Sequence, residues 1–180
     1  MKKILIVISL FSLSTASFAG GSNYTGNVNL FVGMKSMSDE AWESSSIENH
    51  ANFGILIDLK EEHWPVSITA DLLRSSDSND GLKGRTTECN LGITKHWEKN
   101  GFSPYIGGGI AFINADVSLG SSNADETEVG VWGKAGIFTT LEDGTNLGIE
   151  IRQSFADADF NGNDIEIGGF HAGFFVGYHW

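Results

Sequence analysis

The chain has 180 residues, room for one domain of moderate size, and sets 11 Lys and Arg against 23 Asp and Glu for a net charge of −12. A surface that acidic repels phosphate backbones, which argues against a nucleic-acid partner. With 23 Gly, 2 Pro and 11% aromatics the composition is poor for long helices and suits strands joined by glycine-rich turns. The single cysteine, Cys89, excludes an intrachain disulfide, and no Cys/His cluster offers a zinc cage, so neither a metal nor another cofactor is expected.

Residues 1–19 read as a cleaved secretory signal peptide. Lys2 and Lys3 precede the apolar run Ile4 to Leu10, and the segment closes Ala16-Ser17-Phe18-Ala19, with small residues flanking a cleavage point after Ala19. As a membrane anchor the run is too short, since about 20 apolar residues are needed to span. Removing Lys2 and Lys3 leaves 9 of the 11 basic residues against 23 acidic ones, so the mature chain, residues 20–180, carries −14. It is exported, and with no second hydrophobic helix it can reside in a membrane only as a β-barrel.

From Asn27 onward the pattern has period two. Asn27 to Lys35 puts Val28, Leu30, Val32 and Met34 on one face, and Asn52 to Lys60 puts Phe53, Ile55, Ile57 and Leu59 against Asn52, Gly54 and Asp58. Pro65 to Arg74 sets Val66, Ile68, Ala70 and Leu72 against Ser67, Thr69 and Asp71, and Arg85 to Trp97 sets Cys89, Leu91 and Ile93 against Glu88, Asn90, Thr94 and His96. Phe102 to Ala115 is glycine-rich and its phase is open. Val129 to Thr140 opposes Val131, Ala135 and Ile137 to Trp132, Lys134 and Phe138, and Asn146 to Phe155 opposes Leu147, Ile149 and Ile151 to Glu150, Arg152 and Ser154. In Glu166 to Trp180 the residues Phe170, Ala172, Phe174, Val176, Tyr178 and Trp180 share one face.

That makes eight strands, joined by connections over 36–51, 61–64, 75–84, 98–101, 116–128, 141–145 and 156–165 that alternate long and short. An even strand number with short turns at one end and long loops at the other is the plan of an up-and-down outer-membrane barrel, the turns facing the periplasm. A soluble lipocalin-like barrel also has eight strands, with its apolar face inside. Trp64, Trp97, Tyr105, Phe138, Tyr178 and Trp180 all fall near the short-turn end, as an interfacial girdle requires, and this favours lipid on the outside.

The terminal strand, with Phe174, Val176, Tyr178 and Trp180 at every second place, resembles the signal by which outer-membrane barrels are recognised by their assembly machinery. With Pro104-Tyr105-Ile106-Gly107-Gly108-Gly109, Gly169-Phe170-His171-Ala172-Gly173 and Gly177-Tyr178-His179-Trp180, the whole mature chain resembles the small OmpA/OmpX-type barrel superfamily. The resemblance implies an all-β, eight-stranded antiparallel transmembrane barrel in the cell outer membrane, monomeric, with outer-membrane lipid, lipopolysaccharide and the assembly machinery as partners. It says little about function, because the superfamily holds tethers, adhesins, serum-resistance factors and a few enzymes.

The barrel reading places Asp58, Asp71, Glu88, Lys134, Glu150, Arg152, His171 and His179 inward, with Lys134 roughly opposite Glu150 and Arg152. Charges in a narrow lumen must be paired, and this cluster is read as a structural plug. Ser154 is a serine near the outer rim with no partner assignable from sequence, so a lipid-modifying enzyme remains an alternative to a non-catalytic protein. Asp157, Asp159 and Asn161 reproduce the first half of a calcium loop, but Gly168 stands where its bidentate glutamate belongs, and a hairpin loop rich in Asp and Asn is the plainer reading. The expected function is a contribution to envelope integrity or surface interaction through four long loops, with a soluble periplasmic binder as a further alternative.

Overall fold

A computed structural model describes residues 24–37, 49–79, 82–119, 122–160 and 163–180. The segment read as a signal peptide lies outside the described residues. Regular structure among those residues is all strand: β1 Tyr24–Ser36, β2 Asn49–Glu61, β3 Ser67–Asn79, β4 Leu82–His96, β5 Ser103–Leu119, β6 Ser122–Thr140, β7 Thr145–Phe155, β8 Asp157–Phe160, β9 Asn163–Glu166 and β10 Gly169–His179. Eight of them close into an antiparallel barrel in the order β1-β10-β7-β6-β5-β4-β3-β2, while β8 and β9 form a separate hairpin inside the last long connection.

The period-two pattern explains the closure. Leu30 is 61% and Phe174 68% exposed, whereas Lys35 and Arg152, on the opposite parity, are 0% and 1% exposed. A water-soluble barrel would have these reversed, so the outside of this barrel is built for hydrocarbon. Closure also follows from the ends of the chain. β1 and β10 pair from Asn27↔His179 to Ser36↔Phe170, and Gly26 and Trp180 exchange backbone hydrogen bonds at 3.1 Å in both directions. Among the described residues no barrel strand has a bare edge in the hydrophobic zone, where an unpaired amide or carbonyl costs several kcal/mol.

The open phase of β5 resolves with Ile106, Ile110 and Phe112 outward and Tyr105, Ala111 and Ile113 buried. Inside, large side chains from one strand occupy space left by glycines on nearby strands. A Cβ at Gly92 would meet the Trp132 indole, one at Gly148 the Phe175 and Phe138 rings, and one at Gly173 the Phe31 ring. An eight-stranded barrel has room for side chains and little else, and here glycine opposite aromatic fills it.

Three expectations need correction. Tyr105 and Phe138, read as interfacial aromatics, are buried in the lumen, because they share the inward parity of Lys134 and Gly107; Trp64, Trp97, Tyr178 and Trp180 are exposed at the short-turn end. The connections read as loops over 75–84 and 116–128 are mostly ladder: β3 pairs with β4 out to Asn79↔Leu82, and β5 pairs with β6 out to Leu119↔Ser122. Above the membrane an antiparallel ladder needs no apolar face, so polar strand residues there look like loop. The last strand begins at Gly169, and Glu166 belongs to β9.

Candidate functional site

The lumen is the most elaborate polar assembly in the molecule. Its centre is a compact cluster contributed by β3, β5, β6 and β7. Arg152 Nη2 donates to Asp71 Oδ2 at 2.5 Å and to Glu150 Oε1 at 2.8 Å. Lys134 Nζ donates to the same Asp71 oxygen at 3.2 Å and lies 3.7 Å from Glu150 Oε2, which accepts the Tyr105 hydroxyl at 2.7 Å. Trp132 lies beneath both cations, its ring centroid 4.9 Å from the Arg152 guanidinium carbon and 5.5 Å from Lys134 Nζ. Register makes this possible: Lys134 sits directly across from Arg152, and Glu150 across from Gly136, whose missing side chain leaves the space that the Tyr105 hydroxyl occupies.

Two cations and two carboxylates neutralise one another, which is what burial at this depth demands. Nearer the hairpin end a second group forms around Glu88. Its Oε1 accepts Lys35 Nζ at 2.7 Å and lies 3.2 Å from His171 Nε2. Lys35 also donates to Thr86 Oγ1 and to the carbonyl of Ile167, both at 3.0 Å, and Asn52 Nδ2 stands 2.7 Å from His171 Nδ1. Nearer the short turns Asp58 accepts the Thr69 hydroxyl at 2.5 Å, and Asn146 reaches Asn27 and Asn29. His179 approaches Asn27 Oδ1 at 3.0 Å, completing an amide ring at the mouth.

The column is stoppered at the hairpin end. Met37, Ala111, Ile113, Ala115, Trp132, Ala156 and Ile167 form an apolar cap, with Ile165 packed against it. Ile167 and Ala156 arrive from the strand-to-hairpin junctions around β8 and β9, pinned by a backbone bond of 2.9 Å between them. At the other end lies an open vestibule of about 740 Å³ lined by His96, His179, Lys60 and Lys99 among others. Deeper in, a cavity of about 10 Å³ between Asp58, His96, Tyr105, Lys134 and Glu150 holds about one water's volume.

The inward residues named from sequence thus fall into separate groups: Asp71, Lys134, Glu150 and Arg152 together, Glu88 with His171, and Asp58 near the mouth. Lys35 shares the inward parity of Asn27, Asn29, Phe31 and Gly33, and Asn52 and His96 lie on the polar faces of their strands, a sufficient signal to add them to the lumenal charges; Tyr105, read as interfacial, carried no such signal. Ser154 is fully buried, with its hydroxyl 3.4 Å from His171 Nε2 and 3.4 Å from Glu88 Oε1. It has no access to lipid. The calcium-loop candidates Asp157 and Asp159 lie on β8, opposite Glu166 and Asp164 in an extended hairpin, and Asn161 lies outside the described residues. Among the described residues no three His, Cys, Asp or Glu converge in a way that could hold a metal.

A second feature stands above the barrel. The ladders β3–β4, β4–β5 and β5–β6 all continue past the apolar belt, to Asn79↔Leu82, Leu82↔Leu119 and Leu119↔Ser122, and so make a four-stranded projecting sheet. On its β6 edge the pairing to β7 starts only at Val131, and the β8 segment lies alongside part of the edge beyond it.

The model of the outer membrane protein beta-barrel domain matches residues 4–179. The chain belongs to that family. Its place is therefore the cell outer membrane, with the short turns toward the periplasm and the hairpin end outside. Among solved structures it is similar to outer membrane protein OprG of Pseudomonas aeruginosa, with TM-score 0.67 and 10% identity over 89% of this chain and 98% of that one. It is similar to Neisserial surface protein A, with TM-score 0.64 and 14% identity over 88% and 98%. A third likeness is to Ail, the attachment invasion locus protein of Yersinia pestis, with TM-score 0.58 and 10% identity over 87% and 98%. At these identities the likeness is one of fold. No curated protein sequence matches.

Proposed function

We propose that this protein is a non-catalytic surface-interaction protein, in which the barrel is an anchor and the projecting sheet of β3 to β6 is the working part. The observation that carries this reading is the contrast between the two halves. The lumen is neutralised, packed and capped, leaving nothing for it to transport, while costly strand structure continues beyond the membrane where anchoring does not need it. The described part of the sheet carries Asp77, Asp116, Asp125, Glu126 and Glu128, an acidic surface projecting beyond the membrane. Charge favours a basic partner surface. That an attachment protein, Ail, shares the fold supports the reading; a complex of that protein with a heparin analogue is known, and the acidic sheet here disfavours a polyanion of that kind.

The test replaces 116–125 by a two-residue turn, which keeps the barrel and removes the outer part of β5 and β6. Whole cells carrying the shortened protein should assemble it normally yet lose adhesion to protein-coated surfaces in a salt-sensitive manner. Unchanged adhesion, or stable large conductance steps from the pure protein in planar bilayers, would overturn the reading.

A further inference from the structure

The barrel is stoppered at its outer end by the apolar cap and open at the periplasmic end, where the vestibule of about 740 Å³ falls in the size range of small-molecule pockets, about 300–1,000 Å³. Inward parity brings three basic side chains to it. Lys60 follows Asp58 on β2, His96 follows Thr94 on β4 and His179 follows Gly177 on β10, each at the short-turn end of its strand. The turn between β4 and β5 adds Lys99 and, as a lining carboxylate, Glu98.

Neither Lys60 nor Lys99 places its ammonium group in an ion pair or hydrogen bond with a described residue. The third lysine at this end, Lys95, is occupied, donating to the Pro65 carbonyl at 2.6 Å. Carboxylates of the neighbouring turns are engaged outside the vestibule: Glu61 accepts the His63 backbone N–H at 3.2 Å, and Asp143 that of Thr145 at 2.9 Å. The floor is aromatic. The His96 ring stacks on Tyr105 with centroids 5.6 Å apart and meets Phe138 edge-on at 5.8 Å. His96 Nε2 is buried there without a hydrogen-bond partner, 4.0 Å from Asp58 Oδ2.

On a chain of net charge −12, two unpaired ammonium groups over an aromatic floor are not what solubility asks for. With Glu98 set against Lys60 and Lys99, the lining side chains carry a net of one positive charge while the histidines are neutral, which matches a monoanion better than a doubly charged phosphate. We propose that the vestibule is a periplasm-facing binding site for a small organic carboxylate with a flat apolar body, its carboxylate held by Lys60 and Lys99 and its body lying on His96 and Phe138. A lysine ammonium meets a carboxylate as a point charge on a flexible stem and so accommodates bodies of different shape, while the ring floor gives an apolar contact that a small inorganic anion cannot use. The inference concerns the periplasmic mouth and stands apart from the surface-interaction reading.

The mature chain, isotope-labelled and refolded in zwitterionic detergent, is titrated separately with naphthoate, with naphthylmethylammonium and with acetate, and backbone amide signals are followed by NMR. Naphthoate should saturably shift the signals of Asn27, His96, Gly101 and His179. Naphthylmethylammonium, with the same body and opposite charge, and acetate, with the same charge and no body, should leave them in place at equal concentration. The variant K60Q/K99Q should bind naphthoate about tenfold more weakly, as expected for the loss of two partly exposed charge contacts. The control R74Q/R85Q removes the same charge at the outer end and should bind as the parent does. Heat-dependent mobility on SDS gels checks that each variant is folded. No saturable shift with naphthoate, equal shifts from either of the other two compounds, parental affinity in K60Q/K99Q, or equal weakening in R74Q/R85Q would overturn the proposal.

Discussion

At Arg152 the chain makes its most expensive commitment. A guanidinium without bulk water survives only because Asp71 and Glu150 lie on its edge and the Trp132 ring on its face. Removing it leaves two carboxylates to share Lys134, so Arg152→Leu should destabilise the barrel by about 3–5 kcal/mol, the usual cost of breaking one member of a buried pair. Adding Glu150→Gln should recover part of that loss, because the orphaned charge goes with it. Urea unfolding of the two single variants and the double in vesicles measures the coupling, and additive effects would show that these side chains do not act as a unit. Strand parity alone puts Arg152, Glu150 and Lys134 inside. Parity does not say that Asp71, on β3 three strands round from β6 and four from β7, is the carboxylate both cations share, because that contact crosses the lumen and no local pattern records it. Tyr105 shows the opposite difficulty: an aromatic near a turn looks like an interface anchor, and only the phase of β5, obscured by Gly107, Gly108 and Gly109, turns it inward.

The eight strands that cross the membrane were legible as elements because one face of each must be apolar throughout the belt, and Val28 to Met34 or Leu147 to Ile151 display that face in the sequence. Above the belt the constraint lapses. Ser75 to Asn79 is polar on both sides and Asp116 to Leu119 is too short an alternation to stand out, yet their ladders continue without interruption. The dipeptides between the paired ends, Asp80-Gly81, Gly120-Ser121 and Asn161-Gly162, were the available clue, since such pairs favour the tight turns whose twist matches flanking strands. The short hairpin of β8 and β9 is positioned by what flanks it, Ala156 before and Ile167 after, both buried in the cap. Ile167→Ala should therefore cost about 2–4 kcal/mol, as for other buried aliphatic truncations, although the residue lies in a connection outside the barrel strands. Denaturant midpoints for Ile167→Ala and for the exposed Ile149→Ala separate the two cases in detergent, where the outward residue leaves no cavity. Equal small losses would mean that the cap does not hold the hairpin.

For the molecule as a whole, stability in lipid depends on the last strand finding the first. Backbone groups of β10 pair with β1 on one side and β7 on the other, and the final residue still contributes, with Trp180 bonded to Gly26 in both directions. Glycine is required at that position on β1, because a Cβ on Gly26 would stand 2.5 Å from the Trp180 ring. The ring therefore lies flat over the end of β1, exposed toward lipid beside Tyr178 at the level where an indole keeps one edge dry and the other wet. Replacing Tyr178 and Trp180 together by Ser removes the anchors, the lock on Gly26 and the end of the alternating pattern Phe174, Val176, Tyr178, Trp180, all without touching the lumen. Outer-membrane levels should fall sharply, and the chain that does arrive should lose its heat-dependent mobility on SDS gels. Substituting Asp157 and Asp159 by Asn, in the outer hairpin, should leave both measures at the parental value. Gly26→Val is the complementary test, since it blocks the same contact from the other strand while leaving the terminal aromatics intact. If the Tyr178 and Trp180 variant and Gly26→Val both assemble to normal levels with unchanged heat-shifted mobility, closure between β1 and β10 does not depend on this contact, and the pairing further along, from Asn27↔His179 to Ser36↔Phe170, must suffice by itself.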